Sequence, residues 1–95
     1  MASKPTDQIC LHGYISGRVQ GVFFRHGTLT FCTELKLTGW VRNTEDNRVE
    51  VMACGPRRQI EKLKAWLAKG PPRAEVSQVD VQIQPYQPFT GFEIR

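Results

Sequence analysis

Residues 17–25, Gly-Arg-Val-Gln-Gly-Val-Phe-Phe-Arg, have the composition and spacing of an anion-binding loop. They follow a run with the alternation of a strand and precede a run with the periodicity of a helix. The first amides of a helix lack intrahelical acceptors and carry a partial positive charge, yet no Ser, Thr, Asp or Asn stands between Gly17 and Phe24 to cap them. Arg25 adds a guanidinium at the same point. The pattern predicts that a phosphate or carboxylate binds from outside, with an ordinary solvated loop as the equally weighted alternative.

Length and charge restrict the class of protein and the kind of partner. The 95 residues suffice for one domain, and we expect a monomer. Thirteen Lys and Arg against nine Asp and Glu give a formal charge of +4, which is diffuse, suits a small anionic ligand and gives only weak support for nucleic acid. No apolar run approaches the ~20 residues of a membrane span, and residues 1–8 contain no apolar signal core, so we expect a cytoplasmic protein without a membrane partner.

Hydrophobic periodicity predicts four strands, two helices and a short closing strand. Alternation over residues 9–16 indicates a first strand, and an apolar stripe over residues 24–37 indicates a helix that ends at Thr38-Gly39. The later elements are strands at 40–44 and 48–54 joined by a turn at 45–47, a helix from Gly55-Pro56 to the turn at 70–72, a strand with Val79, Val81 and Ile83, and a strand at 92–94.

The order β-α-β-β-α-β predicts an α+β fold of the ferredoxin-like type. In this two-layer sandwich, both helices cover one face of an antiparallel sheet, and here a short extra C-terminal strand follows. We expect residues 1–8 to form a flexible tail and residues 9–95 to form the domain. The third strand should lie between the first and the second.

This topology predicts that Asn43 lies close to the loop that carries Arg25. Strands one and two are parallel, so the loop after strand one and the end of strand two share one edge of the sheet. An Asn side chain offers a donor and an acceptor and can orient a water molecule. A single Asn before a turn is more often only a turn residue, and that alternative stays open at this point.

The three cysteines match no zinc-binding spacing. Cys10 begins strand one and Cys54 ends strand three, on the same face, so we expect them to be cross-strand neighbours that can form a disulfide. Two unpaired thiols in a reducing cytosol are the alternative. Cys32 falls on the buried stripe of the first helix and is expected to be an inert core thiol.

Several kinds of chemistry find no support in the sequence. No Ser-His-Asp or Cys-His arrangement is apparent near the loop, no metal site is indicated, and Gly17-x-x-x-Gly21 matches neither common nucleotide-binding pattern. Amides and an arginine that hold a phosphate, with a water held by Asn43, suit hydrolysis of a phosphate ester or anhydride with a good leaving group.

Two segments resemble the signatures of the acylphosphatase family. Residues 17–25 are similar to its first signature and residues 39–43, Gly-Trp-Val-Arg-Asn, to its second, with Val49 and Gly55 at later fixed positions of the second. The turn at 70–72 and the ending at 92–94 also resemble the family, so the likeness extends from about residue 9 to residue 95.

The resemblance implies a ferredoxin-like fold and hydrolysis of the carboxyl–phosphate bond of a small-molecule acyl phosphate. It implies that the amides of Val19, Gln20, Gly21 and Val22 and the side chain of Arg25 bind the phosphate, and that Asn43 holds the attacking water. It also implies a reaction without metal, cofactor or phosphoenzyme, in which the substrate's own phosphate can accept the proton of the water.

One position departs from the family pattern, which has Gly in the hairpin where this chain has Asn47. Asn is the residue other than Gly that best tolerates positive φ, so the turn should persist.

Two other functions are alternatives to the hydrolysis of acyl phosphates. RNA binding is disfavoured because strand three presents no aromatic residue and strand one presents only His12 and Tyr14 on the open face. A regulatory domain of a larger enzyme is disfavoured by the free-standing chain.

Overall fold

Seven elements form the part of the chain that the computed structural model describes, residues 7–95. In chain order they are β1 (Gln8–Arg18), α1 (Phe24–Glu34), β2 (Thr38–Asn43), β3 (Val49–Pro56), α2 (Arg57–Leu67), β4 (Glu75–Pro85) and β5 (Phe92–Ile94). Their types and order agree with the sequence prediction, and the ferredoxin-like α+β sandwich is confirmed.

The sheet has the strand order β4-β1-β3-β2-β5. Strand β3 lies between β1 and β2, as the split βαβ arrangement predicts, and these pairs are antiparallel. The closing strand β5 instead runs parallel to β2, from Gly39 opposite Phe92 to Val41 opposite Ile94. The sheet is therefore mixed rather than purely antiparallel.

The core lies between the helices and one face of the sheet. Apolar residues at alternate positions of β1, β2 and β3 meet the buried stripes of both helices, because each surface has one apolar side to remove from water. The fully buried members include Leu11, Ile15, Val41, Val49, Val51, Phe24, Cys32, Ile60, Leu63 and Leu67. Thr28 is the polar member, and its hydroxyl donates to the carbonyl of Phe24 at 2.8 Å.

The first helix ends three residues earlier than predicted. Lys36 adopts φ 59°, and the amides of Lys36 and Leu37 donate to the carbonyls of Thr33 and Cys32. This is a Schellman ending that uses Lys where Gly is usual, which hid it from sequence reasoning. The prediction that Thr38-Gly39 ends the helix is wrong, since both residues belong to β2. A Cβ at position 39 would lie 1.9 Å from the carbonyl oxygen of Met52, so Gly39 permits close pairing of two strands.

Two other boundaries differ from the predicted ones. Gly55 and Pro56 pair with Ile9 and Gln8 as the end of β3, and α2 begins only at Arg57 with Pro56 as its N-cap. Gln8 is thus the first residue of β1 rather than the last residue of a tail. Residues 1–6 of the predicted tail lie outside the described residues.

Cys10 and Cys54 stand directly opposite each other in the β1–β3 ladder and are joined by a disulfide. The pair lies outside the cluster of core residues between sheet and helices, and the backbone amide of Gln87 donates to the Cys10 Sγ at 3.1 Å. Cys32 is free and fully buried in the core. Burial raises the pKa of the Cys32 thiol to about 12, which agrees with an inert core thiol.

Candidate active site

The loop between β1 and α1 ends in a helix N-terminus that no side chain of residues 7–95 caps. Phe23 is the N-cap residue, with φ 63° and ψ 23°, and the first turn of α1 contains no acidic residue. Gly17 and Gly21 also have positive φ, at 120° and 73°. The side chains of Val19 and Val22 are buried in the core and fix the loop to the domain. The first amides of α1 are therefore available to an anion, as the sequence predicted.

A cavity of about 240 Å³ opens over this helix N-terminus. Its lining comprises Val19, Gly21, Phe23, Phe24, Arg25, His26 and Asn43. The structure thus brings Arg25 and Asn43 to one cavity although 18 positions separate them in the chain. Gln20 and Val22, which the family resemblance also assigns to the phosphate, do not line this cavity with the others. Arg25 lines the cavity and no carboxylate of residues 7–95 does, so the charge of the cavity favours an anion.

Asn43 is the last residue of β2 and pairs with Val49 of β3. Its side-chain oxygen Oδ1 is buried and accepts no hydrogen bond from the described residues. Buried polar atoms are nearly always paired, with protein or with water. This acceptor is therefore free to take a hydrogen bond from a water molecule in the cavity.

The side chain of Gln20 connects the loop to the β2–β3 hairpin. Its Nε2 donates to the carbonyl oxygens of Thr44 and Arg48, each at 2.9 Å. Thr44 directly follows Asn43, so Gln20 fixes the distance between the loop and the residue that faces it across the cavity. The sequence analysis assigned only the backbone amide of Gln20, to phosphate binding. It missed this side-chain contact because the two acceptors are backbone atoms 24 and 28 positions away.

The hairpin itself is held by local polar contacts. Asn47 has φ 67°, as predicted for the position at which the family has Gly. The hydroxyl of Thr44 donates to the carboxylate of Asp46, and Arg48 Nε donates to that carboxylate at 2.8 Å. The hydrogen bond from Arg48, assisted by that from Thr44, lowers the pKa of Asp46 below its ordinary value. These contacts shape the turn beyond Asn43 without lining the cavity.

The opposite face of the sheet carries an ionic cluster around Glu50. This side chain is buried, its Oε2 lies 2.7 Å from His12 Nε2, and its Oε1 accepts from Arg42 Nε at 2.7 Å. Burial raises the pKa of Glu50, but the hydrogen bonds from His12 and Arg42 outweigh it and leave the pKa below its ordinary value. Strand alternation places all three residues on one face, so the sequence contained a signal for the cluster that the prediction did not use.

The aromatic rings of this open face are covered by cations. The guanidinium groups of Arg42 and Arg95 lie 5.6 and 5.2 Å from the ring centroid of Trp40, and that of Arg48 lies 4.2 Å from the centroid of Tyr14. The sequence-based argument against RNA binding considered only the first and third strands and did not include Trp40 of β2. Rings already stacked by arginines are poorly available to nucleotide bases, which supports the expectation against RNA binding.

Neither a metal centre nor a membrane span occurs in the described part of the chain. Between residues 7 and 95, no group of three or more His, Cys, Asp or Glu side chains could hold a metal ion. Within the same range, neither helix is long and apolar enough to cross a membrane.

Comparison with known proteins relates this site to one family. The family model for acylphosphatase matches residues 11–94. An acylphosphatase of Pseudomonas paraeruginosa is 50% identical over 88 residues, which cover 93% of this chain and 97% of that protein. The solved structure of an acylphosphatase from Coxiella burnetii aligns over all of both chains with a TM-score of 0.92 and 42% identity. The crystal structure of acylphosphatase from Bacillus subtilis aligns with a TM-score of 0.88 and 31% identity, over 92% of this chain and 98% of that one.

Sequence signatures, fold and near full-length similarity agree, and we conclude that this chain belongs to the acylphosphatase family of enzymes.

Proposed function

We propose that the chain hydrolyses the carboxyl–phosphate bond of acyl phosphates in the cavity between the β1–α1 loop and Asn43. The observation that carries this proposal is that one cavity is lined both by Arg25 and by Asn43, whose buried amide oxygen accepts no hydrogen bond from the described residues. One group suits the phosphate and the other suits a water molecule. We infer the substrate class, acyl phosphates, from membership of the family.

Phosphate binding is assigned to the loop and the first turn of α1. Val19 and Gly21 line the cavity, and we assign their amides to the phosphate oxygens together with those of Gln20 and Val22, which follow them in the loop. Arg25 neutralises part of the phosphate charge. The uncapped helix N-terminus supports this role, since no side chain among the described residues caps the first amides of α1. The same groups stabilise the charge that is spread over the equatorial oxygens in the transition state.

Asn43 is assigned to the attacking water. Its Oδ1 accepts a hydrogen bond from that water, which attacks phosphorus while the bond between phosphorus and the acyl oxygen breaks. The products are inorganic phosphate and a carboxylate. The water's proton passes to an oxygen of the substrate's own phosphate; this assignment is supported by the lining of the cavity, in which the described residues place no carboxylate. A carboxylate is a stable leaving group, so no strong general acid is needed.

The test compares the hydrolysis of benzoyl phosphate by wild type, Arg25→Ala and Asn43→Ala, with a chelator present and with circular dichroism as the check of folding. We expect Arg25→Ala to lose about 10³-fold or more in kcat/KM. Asn43→Ala should lose about 10²-fold, chiefly in kcat, because the water is less well placed. Arg58→Ala, which removes an exposed arginine of α2, is the matched control and should keep wild-type rates.

The outcomes separate the parts of the proposal. Absence of wild-type turnover would refute the enzymatic proposal. Wild-type rates in folded Arg25→Ala or Asn43→Ala would refute the role of that residue alone.

The protein is further proposed to act as a cytoplasmic monomer without a cofactor. Sedimentation at micromolar concentration should give one species near the chain mass of 10.8 kDa. A stable dimer would contradict the proposed monomer.

A further inference from the structure

A second cavity, of about 440 Å³, meets the first one at the N-terminus of α1. The two share Phe23 and His26 in their linings. The second cavity extends between α1 and the turn that follows α2, where Trp66, Pro71 and Pro72 line it. We call this second cavity the acyl groove. A molecule that fills both cavities would pass beside the ring of Phe23.

Phe23 has a conformation and an exposure that its role as a helix N-cap does not explain. It is 69% exposed, and its φ of 63° is a left-handed value that a bulky residue rarely adopts. Backbone strain of this kind is concentrated at sites that bind or react. The ring of His26 lies beside that of Phe23, with centroids 6.5 Å apart. The exposed side chain of Phe23 thus lines both cavities where they meet.

The direction of attack selects this groove for the acyl part of the substrate. In an in-line displacement, the attacking water and the leaving oxygen lie on opposite sides of phosphorus. With the water on Asn43, the acyl group must leave on the side away from Asn43. A third cavity, beside Trp40 and Arg95, is lined by Asn43 itself and therefore lies on the side of the water. The acyl groove is not lined by Asn43 and is reached past Phe23 and His26.

The lining of the acyl groove determines which acyl groups it suits. Trp66, whose ring stacks on Phe31, and the rings of Pro71 and Pro72 offer apolar surface. Glu34 contributes a carboxylate to the same lining, and among residues 7–95 no Lys or Arg belongs to it. The carboxylate would repel a second negative charge on the acyl group. An uncharged aromatic ring would instead bury its apolar surface against the groove, which favours binding.

We propose that the acyl groove holds the acyl part of the substrate, with Phe23 as the residue that gives specificity for uncharged, aromatic or bulky apolar acyl groups. This inference rests on the proposed hydrolysis of acyl phosphates. Acetyl phosphate, whose acyl part is a single methyl group, is too short to use the groove and reports on the phosphate cavity alone.

The experiment measures kcat/KM for benzoyl phosphate and for acetyl phosphate in wild type, Phe23→Gly and Phe23→Tyr. Gly tolerates positive φ, removes the ring and adds no side chain that could cap the helix amides, whereas Tyr keeps the ring. Phe23→Gly should lower the ratio of kcat/KM for benzoyl phosphate to that for acetyl phosphate about tenfold, because the contact between the two aromatic rings is lost. Phe23→Tyr should keep the wild-type ratio.

A second variant tests the groove without altering the loop. Thr30 is an exposed residue of α1 in the lining, and Thr30→Trp should obstruct the groove and raise KM for benzoyl phosphate with little effect on acetyl phosphate. The matched control is Tyr86→Asn, which removes another exposed aromatic ring outside these cavities and should leave both substrates unaffected.

The results distinguish this inference from the proposed function. Equal losses for both substrates in Phe23→Gly, or an unchanged ratio in both Phe23→Gly and Thr30→Trp, would overturn the acyl groove while the hydrolase proposal stands. No hydrolysis of either substrate by the wild type would overturn the proposed function and the groove with it.

Discussion

Gln20 should act as a positioning residue, and its replacement should lower the rate of hydrolysis without abolishing phosphate binding. Its side-chain amide holds the β1–α1 loop to the carbonyls of Thr44 and Arg48. In Gln20→Ala both bonds are lost. The loop then keeps its buried Val19 and Val22 side chains, but its distance from Asn43 is no longer fixed.

The structure sets the size of the effect on stability. Neither carbonyl is left without a donor, because Thr44 O still accepts from the amide of Asn47 at 3.3 Å and Arg48 O still accepts from the amide of Thr44 at 2.9 Å. The loss is therefore that of two neutral hydrogen bonds, about 2 kcal/mol in the free energy of unfolding. For a domain of this size, that corresponds to a decrease in Tm of about 10 °C.

The effect on activity should appear mainly in kcat. A displacement of about 1 Å between bound phosphate and water can reduce a rate about 10²-fold, so we expect kcat to decrease by about ten- to a hundredfold. Inhibition by inorganic phosphate, which reports on the loop and Arg25 alone, should change by less than about threefold. Gln20→Glu has the same shape but cannot donate to the two carbonyls, and it should lose at least as much.

The assay pairs stopped-flow hydrolysis of benzoyl phosphate with thermal unfolding. Gln82→Ala, which removes an exposed glutamine of β4, serves as the matched control and should resemble wild type in both measurements. A folded Gln20→Ala protein with a lowered Tm and wild-type kcat would show that the contact stabilises the fold only. A large increase in the inhibition constant for phosphate would show that Gln20 acts on binding rather than on position.

Three further predictions concern the Glu50 cluster and the disulfide. Because its folded-state pKa is lowered, Glu50 stabilises the protein above its unfolded-state pKa of about 4.3, and this contribution disappears as pH falls through the lower folded value. Glu50→Gln should cost about 2 kcal/mol near neutral pH by urea unfolding, with a difference that shrinks in acid; a difference constant with pH would contradict the argument. Thiol titration of unfolded, unreduced protein should find Cys32 alone, and three free thiols would contradict the Cys10–Cys54 bond. Reduction of that bond, which spans 44 positions, should lower the free energy of unfolding by about 4 kcal/mol; an unchanged unfolding midpoint would contradict this.

Much of the fold could be predicted because each element has one clear apolar face. The stripe of Ile60, Leu63 and Leu67 and the alternation of β1 are local patterns, and the structure buries the residues that they indicated. The errors arose where a backbone conformation was held by an unusual residue. Lys36 ends α1 at a position where Gly is typical, and Gly39, which resembles a breaker, serves close strand pairing instead.

The cavity was partly predictable for a different reason. Parallel strands end at the same edge of a sheet, so topology alone indicated that Asn43 would face the loop of Arg25. Contacts that depend on the direction of one side chain were beyond this reasoning. Gln20 donates to backbone carbonyls, which every residue type has, so the sequence does not indicate these acceptors. Phe23 has a left-handed conformation that bulky residues rarely adopt, so its type did not predict it.

The position of β1 inside the sheet has a consequence for synthesis of the protein. The first strand is paired on one side with β3 and on the other with β4, whose last residue, Pro85, lies opposite Ile9. A nascent chain therefore cannot complete the sheet around β1 until the residues up to Pro85 have left the ribosome. Until then one edge of β1 is unpaired, and folding must wait for contacts between distant parts of the chain. The anion-binding loop continues directly from β1, so its support from the sheet is complete only after β4 has been synthesised.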